Sequence, residues 1–143
     1  LEQVEREGVS VVVIDTLNGY LHSAVSEPDV LLHLRELISY LGRKGVVTLM
    51  TLTQHGVLGP DSSAPADISF LADNVFLMRY FEAQGSIRQA LSMVKKRTGP
   101  HERTVRELAM SAEGLRLSQP LREFEGVLSG HPSYVGDQPL KRP

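Results

Sequence analysis

Residues 9–21 are VSVVVIDTLNGYL. The first seven are too short and too continuously apolar for an amphipathic helix. They predict a strand buried on both faces, as in a parallel sheet, that ends on a carboxylate, Asp15. Upstream, LEQVEREGVS is charged and lacks the apolar core of a signal peptide; it reads as the end of a helix stopping at Gly8. A chain that opens inside a helix reads as a fragment. Downstream, residues 17–26, LNGYLHSAVS, are rich in turn formers and predict a loop. A helix is expected next, with Ser26 as N-cap, Pro28 in the first turn and Asp29 at capping-box spacing. Leu31, Leu34, Leu37, Ile38 and Leu41 recur on one face, and Gly42 or Gly45 ends it. Residues 46–53, VVTLMTLT, predict a second buried strand. Strand, helix and strand in this order make a right-handed βαβ unit with parallel strands.

The rest of the chain changes character. Residues 54–66 are rich in Gly, Pro and Ser and predict a loop. Residues 67–74, DISFLADN, suggest a short helix, and residues 75–81, VFLMRYF, a third buried strand. EAQGS turns the chain into residues 87–97, an alternating return strand, so the pair is a hairpin. TVRELAM and GLRLS, joined by SAEG, form another. Residues 131–143, with three prolines, predict a loosely ordered tail.

Composition sets bounds. The chain has 143 residues, 41 % hydrophobic and 22 % charged, the balance of one soluble globular domain. A formal charge of −2 gives no field for nucleic acid or an anionic membrane. No apolar run reaches the length of a membrane span. Cysteine is absent, which excludes disulfides and thiolate metal sites and agrees with a reducing compartment. The histidines His22, His33, His55, His101 and His131 show no metal-ligand spacing, so no transition-metal site is expected.

Three constellations carry candidate chemistry. In open α/β sheets ligands sit beyond the carboxyl ends of the strands, where Asp15 is placed to hold Mg²⁺ through water near nucleotide phosphates, the pattern of a Walker B aspartate. The same pattern describes an aspartate that anchors a loop, and this stretch leaves both readings open. Lys95 and Arg97, two residues apart on one strand face, are suited to a phosphate supplied by a neighbouring subunit. A solvated basic strand end is the other reading. Thr53, Gln54 and His55, at the end of the second strand, are placed to touch a terminal phosphate or orient water, or simply to begin a loop. No Gly is followed by Lys anywhere, so the sequence contains no G-x-x-x-x-G-K-[ST] phosphate loop.

Residues 11–21 (VVVIDTLNGYL), 68–110 (ISFLADNVFLMRYFEAQGSIRQALSMVKKRTGPHERTVRELAM) and 114–130 (GLRLSQPLREFEGVLSG) together resemble the C-terminal half of a KaiC-like ATPase domain. That family has the RecA fold and includes circadian-clock ATPases and many bacterial relatives. The resemblance implies an α/β fold: part of a RecA-like P-loop ATPase core, a mainly parallel sheet with helices, plus C-terminal β-hairpins. Residues 1–130 would be the C-terminal part of one such domain. It matches Asp15 to the Walker B aspartate, with Thr16 and Asn18 in the same stretch. Lys95 and Arg97 match the Lys-x-Arg pair that acts catalytically across a ring interface. Thr53 and Gln54 fall near a sensing position, and His101 lies in the segment where nucleotide is contacted. For the full-length protein the resemblance implies ATP and Mg²⁺, a homo-oligomeric ring, a hexamer, a signalling partner and a cytoplasmic location.

Two departures narrow the reach of the resemblance for the chain itself. The family's P-loop and catalytic glutamates lie upstream of the strand ending in Asp15, so the chain alone is expected neither to bind ATP tightly nor to hydrolyse it. Ser69 is retained where clock relatives autophosphorylate, but Phe70 stands in place of the adjacent threonine, which argues against a clock-type phosphorylation cycle. The contrasting functional class is a non-catalytic RecA-like oligomerisation or signalling module. A recombinase-type DNA-binding ATPase shares the fold, but the absence of a basic stripe opposes it.

Overall fold

Two short stretches, the β-branched residues 11–14 and the largely apolar residues 47–50, find each other across an intervening helix. The computed structural model of the chain describes residues 2–22, 27–53 and 68–136. The chain divides into two units, residues 1–54 and residues 55–143.

In the first unit α1 (Glu2–Glu7) leads into β1 (Val11–Ile14), α2 (Leu17–His22), α3 (Glu27–Arg43) and β2 (Val47–Met50). β1 and β2 pair in parallel, Val11 opposite Val47 through Ile14 opposite Met50. α3 packs along β2 and buries Val30, Leu34 and Leu41. Burial of each such side chain stabilises by about 1.5–3 kcal/mol. The helix ends as its glycines predict: Val46 N–H returns to Leu41 O at 3.0 Å and Gly45 N–H to Gly42 O at 3.0 Å, with Gly45 at φ +73°. This is a Schellman cap, and Val46 and Leu41 supply its buried apolar pair. α1 is tied to α3 by the Tyr40 hydroxyl, which donates to Glu5 Oε1 at 2.6 Å. That bond, then Lys44 at 3.5 Å, holds the Glu5 carboxyl below its ordinary range.

Two expectations are corrected in this unit. The strands are not buried on both faces: Val13 is 61 % exposed and Val47 56 %, while the alternate residues are half-buried. Among the described residues of this unit, α3 is the helix that packs on β2. Residues 17–22 are a helix rather than a loop. Their turn-forming composition is overridden by tertiary contacts, since Leu17 is buried and donates its N–H to Thr51 O at 2.8 Å. Ser26 and its expected capping role lie outside the described residues.

In the second unit a 3₁₀ turn (Ile68–Leu71) precedes β3 (Asn74–Ala83), β4 (Ser86–Lys96), β5 (Arg106–Ser111), β6 (Gly114–Pro120), β7 (Phe124–Glu125) and β8 (Ser133–Tyr134). β3 to β6 form a four-stranded antiparallel meander that contains both hairpins expected from the sequence, while of the mainly parallel sheet expected beside them the described residues show the β1–β2 pair. The physical reason is local. Gln84 and Gly85 both have positive φ, the pattern of a type I′ turn whose twist closes a hairpin. β3 alternates, with Phe76, Met78 and Tyr80 exposed and Phe81 and Ala83 buried; it too is covered on one face only. The core joins Phe81, Ala83, Ala90 and Val127, flanked by Val105, Leu121, Phe124 and Leu128. Residues 133–134, placed by the sequence in a loose tail, pair with β7, and Tyr134 meets Phe124 edge-on at 5.5 Å. Residues 137–143 lie outside the described residues.

Candidate functional site

Parallel pairing carries the chain ends of β1 and β2 out of the sheet side by side. The ladder continues one step past Ile14 and Met50, where Thr51 N–H donates to Ile14 O at 3.0 Å. The next side chains therefore meet: the Thr51 hydroxyl donates to Asp15 Oδ1. Asp15 is exposed, not sealed in the core. Among the described residues its Oδ2 accepts no hydrogen bond. The peptide between Asp15 and Thr16 is cis, and Thr16 is half-buried. Asn18 acts as a clamp. Its Nδ2 donates to Thr53 O at 2.8 Å and its Oδ1 accepts Thr53 N–H at 2.8 Å, so one side-chain amide replaces a backbone bridge. Thr53 thus contributes its backbone to holding the strand ends together. Gln54 and His55 lie outside the described residues.

The basic groups of the second unit are set by antiparallel register. Asn74 pairs with Lys96, and the next backbone bond, Arg97 N–H to Asp73 O at 2.8 Å, extends the ladder beyond it. Lys95 and Arg97 converge on the 3₁₀ turn of their own chain. Lys95 Nζ donates to Ser69 O at 2.7 Å. Arg97 Nη2 donates to Phe70 O at 3.3 Å, and its Nε lies 2.8 Å from Asp73 Oδ1. Lys96 turns elsewhere, to Pro100 O at 3.3 Å. Arg97 remains 56 % exposed and Asp73 68 %, so the pair is solvated.

His101 opens the segment that leads into β5. The ring is half-buried, and its Nε2 is buried with no partner among the described residues. Beside it Glu102 accepts the Thr104 hydroxyl and two bonds from Arg106, Nε at 2.9 Å and Nη2 at 2.7 Å. The Thr104 bond first, and Arg106 second, hold the Glu102 carboxyl below its ordinary range. Arg106 also donates Nη1 to Ser118 O at 2.6 Å, which fixes the segment to β6.

Residue type alone points to Asp15, Lys95 and Arg97 but not to Thr51 or Asp73. Both would follow from register, because each stands one step past the last ladder pair, opposite a group already singled out. A hard divalent cation suits an exposed carboxylate oxygen. Asp15 is a single carboxylate, and among the described residues no three His, Cys, Asp or Glu side chains gather to hold a metal ion.

Fold and site together define an α/β protein with a strand-end carboxylate in one unit and a paired basic strand end in the other. No protein-family model matches the chain. The circadian clock protein KaiC3 of Synechocystis sp. is 30 % identical over 135 residues, covering 92 % of this chain and 26 % of that protein. The circadian clock oscillator protein KaiC of Thermostichus vulcanus is 26 % identical, covering 88 % of this chain and 24 % of its own length. KaiC of Synechococcus elongatus is 28 % identical over 67 % of this chain and 18 % of its own length. The homologues of this chain are KaiC proteins, as the resemblance implied, and the chain spans about a quarter or less of their length. No described helix is long and apolar enough to cross a membrane.

Proposed function

We propose that the chain is the C-terminal part of a RecA-like, KaiC-type ATPase domain that works in a cytoplasmic homo-oligomeric ring, a hexamer, and couples ATP hydrolysis to signalling through a protein partner. The observation that carries this is the placement of Asp15: an exposed carboxylate at the carboxyl end of a parallel strand, oriented by Thr51. Bound Mg²⁺ would supply charge neutralisation at the phosphates. Asp15 would hold a water of that ion through the lone pairs that Thr51 leaves free. Thr16 and Thr53 would line the same strand ends, with Asn18 keeping the two ends together, and Gln54 remains a sensing candidate by its sequence position. Lys95 and Arg97 would approach the phosphate of a neighbouring subunit, where an arginine supplied in trans stabilises transition-state charge. Their contacts within the chain are to two backbone carbonyls and one solvated carboxylate, all weak enough to exchange for a phosphate. His101, whose Nε2 has no partner among the described residues, would stand at the edge of the nucleotide.

The test is Arg97→Ala in the full-length protein. Turnover falls roughly 10³-fold while nucleotide binding is retained; unchanged turnover removes the finger role. A second reading, a non-catalytic oligomerisation or signalling module, is favoured by the contacts of both cations to their own chain. Under it the full-length protein carries no G-x-x-x-x-G-K-[ST] upstream and hydrolyses no ATP.

A further inference from the structure

We infer that Asp73 is a positioning residue for Arg97, orienting its guanidinium for an anion; this rests on the finger role proposed above. A guanidinium offers two edges, one formed by Nε and Nη2 and one by Nη1 and the outer hydrogen of Nη2. Asp73 Oδ1 takes Nε at 2.8 Å and Phe70 O takes one hydrogen of Nη2 at 3.3 Å, so the contacts within the chain fall on Nε and Nη2. Among the described residues Nη1 has no partner, and the side chain is 56 % exposed. Nη1, with any hydrogen that Nη2 does not spend on Phe70, is what remains for a phosphate oxygen. The hold is rigid at its root, because Arg97 N–H is bonded to Asp73 O at 2.8 Å; one residue therefore anchors both backbone and side chain.

This arrangement does little for the fold. An exposed ion pair contributes almost nothing to stability. What it changes is freedom. An arginine has a long, rotamer-rich stem, and fixing it before an encounter removes that ordering cost from the encounter itself. Lys95, docked on Ser69 O of the same turn, is held alongside. The 3₁₀ turn and Asp73 thus form a platform on which both cations are held.

The experiment measures steady-state ATP turnover of the full-length protein with Asp73→Ala, Asp73→Ser, Asp73→Asn, Arg97→Ala and the Asp73→Ala/Arg97→Ala pair. Asp73→Ala and Asp73→Ser, neither of which reaches Nε, lower kcat roughly 10-fold and leave KM within about two-fold, since orientation and not binding is lost. Asp73→Asn keeps an oxygen for Nε and recovers most of kcat, which a role through charge alone would not allow. The double variant is no slower than Arg97→Ala. Wild-type or raised kcat in both Asp73→Ala and Asp73→Ser, with turnover lost in Arg97→Ala, overturns the positioning role and leaves the finger standing. Unchanged turnover in Arg97→Ala overturns both.

Discussion

The first unit assembles its polar groups through a parallel pairing and the second through an antiparallel one. Asp15 and Thr51 are 36 residues apart and meet only because α3 returns the chain to the sheet. Asp73 and Arg97 meet because one tight hairpin folds β3 onto β4. The connections differ, yet the result is the same: the chemistry stands one step past the last ladder pair. There the backbone is still fixed by its neighbour strand while the side chains are already in water. Rigid placement and solvent access, which oppose each other inside a core, coexist at a strand end.

The units also differ in what stabilises them, and substitutions sharpen that contrast. The largest effect is expected in the second unit, where Phe81 is the hub of the core and meets Phe124 edge-on at 5.9 Å. Phe81→Ala should cost about 3–5 kcal/mol, read by urea unfolding. In the first unit the covered and open faces of the sheet are the comparison. Leu34, 1 % exposed under α3, should cost about 2–5 kcal/mol on replacement by Ala. Val13→Thr, on the open face of the chain, should move stability by no more than about 0.5 kcal/mol. A large Val13 effect would break the contrast.

Gly45→Ala gives an effect between those of the covered and open faces, with a clean cause. An added Cβ would meet nothing within 4 Å, so only the positive φ is penalised, at about 1–2 kcal/mol. The smallest effect is pH-dependent. The folded Glu102 carboxyl lies below its ordinary value, so its contribution is complete above the unfolded value of about 4.3 and disappears as pH falls through the folded one. Carbon-detected NMR titration should place Glu102 below an ordinary glutamate, and Thr104→Val, which removes the leading cause, should move it upward.

Much of the second unit was legible because hairpins are local: alternation in VFLMRYF and IRQALSMVKK and the QG turn suffice. The helix at residues 17–22 was not, because Asn18 and Gly19 carry turn chemistry and only the distant partners Thr51 and Thr53 hold them helical. The open faces of β1, β2 and β3 escaped for another reason. A continuous apolar run records which surfaces can be covered, not which the described residues cover. At the site, residue type pointed to Asp15, Lys95 and Arg97, but Thr51 and Asp73 needed the register, which a single sequence does not contain. Both omissions are supporting groups, and both sit on the far side of a strand pair.

The central claim is that the carboxylate and the basic pair belong to different halves of a shared site, one from each of two neighbouring subunits. Mixing two full-length variants tests it most directly: Asp15→Asn, which keeps Arg97, and Arg97→Ala, which keeps Asp15. Each alone is expected to be nearly inactive. Random assembly into rings restores an intact pairing at about a quarter of the interfaces, so the mixture should hydrolyse ATP well above either parent. A mixture as inactive as its parents, from rings shown to exchange subunits, would contradict the account.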